Sequence, residues 1–426
     1  MTRLAALLLA AALAAACSFS TSAAPPQARP ASAAPPAWSL FRGDLARDGH
    51  PPGATLSAAS AAHLRLTWQA DLGSPIEGSP VIAGGYLVAG TVGGTLAAFS
   101  AAKGDKVWAV TGFGPLQGQP LIAEGKVFAG SSDGHLYAVE LMTGLRIWDW
   151  RAPGDKPAIL SGPVLYRGLL LVGIGTQAGA PLEPGRLAAL DPASGDRLWA
   201  TCLRAGCEAG GGVTSSIAVD SAGIGYVEVG SPDDFLAAFD VGIGKVLWTH
   251  PLSSAPGSGA GATATPLLYR SQGTERVAAG GPEGRFTVVS AATGSIVWSR
   301  LLFSSGPADS PSASPGSDGL LLFVPSAGMP GGIQAVGRDD GRAVWSHATQ
   351  RPVSSSPAVG KHVVVFGEGA PGGDPAGALV AVSAGDGHEV WRFETGAGVV
   401  ASPAIVGDAV FGADLKGRVL AFSPAA

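Results

Sequence analysis

Along most of the chain, short apolar runs alternate with glycine-rich turns, and one arrangement of them recurs. The run Leu96–Phe99 leads to Gly104 and Trp108, and Leu136–Val139 to Gly144 and Trp148. Leu187–Leu190 leads to Gly195 and Trp199, and Leu236–Phe239 to Gly244 and Trp248. Phe286–Val289 with Gly294 and Trp298, Ile333–Val336 with Gly341 and Trp345, and Leu379–Val382 with Gly387 and Trp391 complete the set. In all seven copies the Gly lies four residues before the Trp, and the run ends nine before it. A spacing of about 40 to 50 residues is that of a propeller or solenoid. Apolar runs separated by such turns predict a small antiparallel sheet as the unit. The Gly suits a hairpin position with positive φ. The Trp supplies apolar area for packing between neighbouring sheets.

The two ends hold the halves of one more unit. Val419–Phe422 is a further first run with no Trp after it, and Trp68 in LRLTW is a closing Trp with no run before it. Pairing them removes the open edges of the array. The expected fold is therefore all-β: an eight-bladed propeller of four-stranded antiparallel blades, the last closed by N- and C-terminal strands. Its structural tryptophans are Trp68, Trp108, Trp148, Trp199, Trp248, Trp298, Trp345 and Trp391.

Composition changes this picture little. The 64 Gly, 33 Pro and 46% hydrophobic residues of the 426 suit a turn-rich all-β chain. A net charge of −5 without basic clusters argues against a nucleic-acid partner. The first seventeen residues, one Arg before an apolar run ending in small residues, predict a secretory signal, residues 1–17. Residues 18–38, rich in Ala, Pro and Ser, predict a tether, and 39–426 the propeller. The Ala14-Ala15-Ala16-Cys17 ending resembles the cleavage box of bacterial lipoproteins, which implies lipidation of Cys17; an ordinary signal with an incidental Cys is the alternative. Cys202 and Cys207, in CLRAGC, are expected to form a local disulfide, as suits an oxidising compartment.

Chemistry-bearing motifs are few. Gly130–Gly134 (GSSDG) has the pattern of a hydrolase nucleophile elbow but falls in an expected hairpin, where that motif has no function. The seven His show no ligand spacing. Ser79-Pro80, Gln119-Pro120, Gly162-Pro163, Thr265-Pro266, Ser356-Pro357 and Ser402-Pro403 are expected to open innermost strands at the channel mouth. Gly175–Gly185, Ser253–Gly261 and Ser304–Ser317 read as loop insertions, where binding is expected on a propeller.

In idealised form the repeat, clearest in Ala188–Trp199 and Val288–Trp298, resembles that of quinoprotein (PQQ-type) propellers. Ser39–Gly49 (SLFRGDLARDG) is similar to the lead-in of such propellers, which explains its adhesion-like Arg42-Gly43-Asp44. That superfamily holds PQQ-dependent alcohol dehydrogenases and also cofactor-free lipoproteins of the BamB type. Gly210–Asp234 is similar to the dehydrogenase segment that carries a quinone-stacking Trp and a calcium-ligating Asn, but here Thr214 and Ser231 stand at those positions. A hydroxyl is a weak substitute for an amide oxygen on calcium, and the chain has no Asn at all. The general-base Asp expected before Thr263-Ala264-Thr265-Pro266 is missing, as is the adjacent-cysteine disulfide.

The resulting expectation is a non-enzymatic, exported and lipid-anchored propeller in the cell envelope. It would be a monomer, touch the membrane through its anchor only, and act as a scaffold for envelope protein partners, with outer-membrane protein assembly as one role. No catalytic, cofactor or metal residue is assigned. The alternative is an atypical PQQ-dependent dehydrogenase of alcohols or sugars, with calcium held by Glu228, Asp233 or Asp234; otherwise these three are expected to be solvated turn residues. A third class, a carbohydrate- or peptide-binding propeller, would use the faces of Tyr166, Tyr226 and Tyr269.

Overall fold

The computed structural model describes residues 37–232, 234–253, 264–303, 313–371 and 375–425. Cys17, the signal, most of the tether, Asp233 and Thr263 lie outside them, as does most of the insertions expected after Ser253 and Ser304.

The described chain forms eight antiparallel sheets in sequence order. From innermost to outermost strand, blade 1 runs from Val81–Ala83 to Lys106–Val110, blade 2 from Leu121–Ala123 to Arg146–Arg151, and blade 3 from Val164–Tyr166 to Arg197–Cys202. Blade 4 runs from Ala218–Val219 to Val246–Pro251, blade 5 from Leu267–Ser271 to Ile296–Leu301, and blade 6 from Gly316–Ser317 to Ala343–Thr349. Blade 7 runs from Ala358–Val359 to Glu389–Glu394. Blade 8 takes Ala404–Val406, Ala409–Ala413 and Arg418–Pro424 from the C-terminus and Leu64–Asp71 from the N-terminus, with Leu64 opposite Pro424. Blade 3 carries a fifth strand, Pro157–Ala158. The expected insertion at Ser304–Ser317 ends earlier than its composition suggests, because Gly316–Ser317 pairs with Phe323 and Leu322 as an innermost strand.

Each blade meets the next through the repeated Trp and Gly. The Gly adopts positive φ, +75° at Gly104 and +66° at Gly341, and lies against the Trp ring of the preceding blade. A Cβ on Gly341 would stand 2.5 Å from the Trp298 ring, so the contact admits no side chain. The indole N–H then donates to the carbonyl three residues before that Gly: Trp108 Nε1 to Leu141 O at 2.8 Å, Trp345 Nε1 to Ala384 O at 2.8 Å. Trp391 makes the corresponding bond across the chain ends, to Leu64 O at 3.1 Å. Trp199 departs from the rule, its buried Nε1 having no acceptor among the described residues. In every outer hairpin the register slips beside the Trp, skipping one residue: Ala98 pairs with Trp108 and Phe99 with Lys106. This bulge leaves Val107, and likewise Ile147, Leu198, Leu247, Val297 and Val344, exposed on the outer rim.

Residues 37–56 cross one end of the channel. Trp38, placed in the tether by composition, is buried and exchanges two backbone bonds with Ile82 of blade 1. The carbonyls of Ser39, Leu45, Ala46, Asp48 and Gly49 then accept from Ile122, Val219, Leu268, Ser317 and Val359, the equivalent residues of blades 2, 4, 5, 6 and 7. Thr55 and Leu56 donate to Gly407 O of blade 8. Between Ser39 and Leu45 the chain turns inward and buries Phe41 and Arg42. Arg42 reaches Pro357 O (2.7 Å) and Pro315 O (2.5 Å), and Arg47 reaches Ile217 O (3.0 Å). Both guanidiniums are fully enclosed. Burial lowers Arg42 to about 10 and Arg47 to about 9, against the attraction of Asp48 and Asp44. The Arg-Gly-Asp triplet is thus a structural plug.

Candidate functional site

The channel behind this plug is lined by position. In blades 1 and 4 to 8, one residue just ahead of the innermost strand presents a short polar side chain that accepts a backbone N–H from the blade before. Gly162 N donates to Ser216 Oγ, and Ser216 N to Thr265 Oγ1, both at 2.8 Å. Thr265 N meets Ser314 Oγ at 2.8 Å. Ser314 N meets Ser356 Oγ, Ser356 N meets Ser402 Oγ, and Ser402 N meets Ser79 Oγ, each at 2.9 Å. A directional belt of hydrogen bonds thus runs around the axis from blade 3 through blades 4 to 8 to blade 1, while Gln119 and Gly162 stand at the matching places in blades 2 and 3. The Pro of each step follows it and precedes the strand, so no ladder donor is lost. Ser216, followed by Ile217, and Ser314, inside the expected insertion, belong to the belt although neither was singled out in the sequence.

Inside the belt lies a cavity of about 110 Å³, polar, floored by Phe41 and rimmed by Glu77 and Thr214. Gln117 Nε2 donates to Glu77 Oε2 at 2.8 Å, so this carboxylate has a partner. Ligand pockets usually hold roughly 300–1,000 Å³. The cavity is the size of a few waters.

Thr214 lies on that rim and offers no flat face for a quinone. Ser231 has a buried hydroxyl without a partner among the described residues. Among the described residues, no three His, Cys, Asp or Glu side chains converge as a metal site. The residues do not fit the quinone–calcium arrangement of the dehydrogenases. One expectation is corrected: Glu228 and Asp234 are not solvated turn residues but fully buried. Glu228 Oε1 accepts from Gly280 N at 3.1 Å, and the backbone N–H of Ala264 also lies against the carboxylate. Burial, and then the charge of Asp234, push the Glu228 carboxyl well above the usual carboxylate range. Strand pairing explains the burial, since Glu228 stands opposite Leu236 in the middle of blade 4.

The other singled-out residues are dispersed. Tyr226 and Tyr269 are buried, with hydroxyls donating to Asp220 Oδ2 (3.0 Å) and Arg338 O (2.7 Å), so neither offers a stacking face. Tyr166 is half-buried at the mouth of a second, larger cavity. Gly130–Gly134 is a hairpin turn whose Ser131 hydroxyl is buried against Asp133. Cys202 and Cys207 are joined as a disulfide with Cα atoms 5.2 Å apart, at the end of the strand carrying Trp199.

Comparison with known proteins agrees with the fold. The family described as outer membrane protein assembly factor BamB matches residues 53–208, 185–328 and 329–426. No curated protein matches. Among solved structures, quinohemoprotein alcohol dehydrogenase from Comamonas testosteroni is similar at 17% identity and TM-score 0.76, over 92% of this chain and 81% of that one. A europium-containing methanol dehydrogenase is similar at 15% identity and TM-score 0.77, over 91% and 98%. BamB from Moraxella catarrhalis is similar at 15% identity and TM-score 0.65, over 84% and 97%. At these identities the likeness is one of fold.

Proposed function

The chain belongs to the family described as outer membrane protein assembly factor BamB, and from that premise we propose that it is a non-enzymatic scaffold in the cell envelope. In this reading it is exported, held to the membrane by a lipid on Cys17, and presents its propeller to other envelope proteins, including those engaged in outer-membrane assembly. The observation that carries the reading is the axis itself. Where dehydrogenase chemistry would need a quinone face and a calcium-ligating amide, this chain has Thr214, on a channel plugged by Phe41 and Arg42, and Ser231. A rigid closed ring with its axis filled is suited to offering surface rather than turnover.

The test is cross-linked co-purification of the tagged full chain from envelope extract. Recovery of a specific envelope protein is expected; recovery of none sinks the scaffold role. The anchor is checked separately. Cys17→Ser should move the protein from the membrane to the soluble fraction, and an unchanged distribution rules out lipidation at Cys17.

A second reading, an atypical PQQ-dependent dehydrogenase of alcohols or sugars, draws on the buried Glu228 and Asp234, which could serve as calcium ligands of a new kind. Calorimetric titration with PQQ, with and without calcium, decides it together with a dye-linked alcohol oxidation assay. Calcium-dependent binding with turnover would replace the scaffold reading. Absence of binding removes the alternative.

A further inference from the structure

The segment that plugs the channel covers the inner edges of the blades unevenly. Ile82, Ile122, Val219, Leu268, Ser317 and Val359 each give a backbone N–H to it. Leu165 is the equivalent residue of blade 3, second in the innermost strand and opposite Leu170 as Ile82 is opposite Leu87. Among the described residues no backbone bond reaches it from this segment, because Leu40–Asp44 turns away there to put Phe41 and Arg42 into the channel. The skipped edge opens into a cavity of about 600 Å³.

The walls of that cavity state what it would hold. Its floor is aliphatic, from Leu40, Leu121, Leu165 and Leu268. Its charged lining residues are Asp44, Asp220 and Glu275, with no basic side chain among them. Asp220 is occupied, accepting from Ala222 N, Ile224 N and Tyr226 Oη. Asp44 accepts from Arg47 N. Glu275 has no hydrogen-bond partner among the described residues, although Arg270 faces it across the strand pair. Burial and then Asp220 raise its carboxyl against the pull of Arg270, and on the cavity side three acids meet no basic side chain, a wall complementary to a cation.

We infer that this cavity is a docking site for a short extended peptide of a partner protein, mostly apolar and bearing one basic side chain. The peptide adds a strand at the Leu165 edge, taking the place that the chain's own lead-in takes on the neighbouring blades. Its backbone bonds to Leu165, its aliphatic side chains cover the leucine floor, and its Lys or Arg meets Glu275. The volume lies within the usual range for a bound ligand. This deepens the scaffold reading and rests on it only for the existence of a partner.

Two measurements on the full chain in detergent test it. The first is fluorescence anisotropy with labelled, end-capped Val-Lys-Val-Leu and Val-Glu-Val-Leu. The Lys peptide should bind at least ~10-fold tighter, and Leu165→Pro, which removes the edge N–H, should weaken it about 10-fold. Glu275→Gln should reduce the Lys preference several-fold without touching the edge. Equal affinity of the two peptides, no binding, or binding unchanged in both variants overturns the inference. The second is co-purification with Glu275→Lys. A partner lost from this variant supports the site, and a partner retained by it places docking elsewhere. Peptide binding that survives while no partner is ever recovered defeats the scaffold reading alone.

Discussion

Indole hydrogen bonds that recur from blade to blade allow single residues to be compared at matched positions. Trp345→Phe keeps a ring over Gly387 and removes the donor to Ala384 O. A loss of about 1 kcal/mol is expected from the shift of the urea midpoint. Trp199→Phe should be neutral or slightly stabilising, because its Nε1 has no acceptor to lose. A second residue-scale prediction concerns the plug. Asp48 is pushed up to about 7, first by burial and then by Asp44, against 3.8 for a free carboxyl. The folded state therefore holds this proton more tightly than the unfolded state does. Its contribution to stability is greatest below about pH 4 and declines as pH rises to about 7. Asp48→Asn, which keeps an oxygen for His50 N, should flatten that part of the stability–pH curve; an identical slope in both proteins would exclude Asp48 as its source.

At the scale of elements, the hairpin glycines separate two costs. Gly273 has φ +76° with open space where a Cβ would go, so Gly273→Ala should cost about 1 kcal/mol from backbone alone. Gly341→Ala adds a clash with the Trp298 ring and should cost about 2 kcal/mol more, read as a lower melting temperature. These hairpins were legible in the sequence because the constraint is local: one Gly and one Trp at fixed spacing. The innermost strands were less so. Steps ending in Pro (four after Ser or Thr, one after Gln119 and one after Gly162) gave six of their starts, but Ser216 lacks the Pro, and Ser314 is hidden in a Pro- and Ser-rich stretch. The lead-in was visible as a motif, yet its bonds run through backbone carbonyls, which leave no trace in side-chain pattern. Glu228 and Asp234 misled for a related reason. The Gly230-Ser231-Pro232 between them reads as a solvated turn, and only the packing of blade 4 against blade 5 shows Glu228 meeting Gly280.

At the scale of the whole propeller, the number of blades followed from counting orphaned halves at the two ends, because a repeat that cannot bury its own edge must find a partner. The corresponding prediction is that a chain ending at Lys416 exposes two edges at once, Ala409–Ala413 and Leu64–Asp71, and aggregates where the full chain stays dispersed in light scattering. Retained monodispersity would show that the lead-in alone holds the ring. The same pairing of Leu64 with Pro424 makes blade 8 the least local join in the molecule. Seven blades are built from strands that follow one another in sequence, whereas the eighth needs strands from opposite ends of the propeller to meet, so closing it carries the largest loop-closure entropy. Until those two strands meet the chain is an open arc, and that one encounter, rather than any single blade, is what makes it a ring.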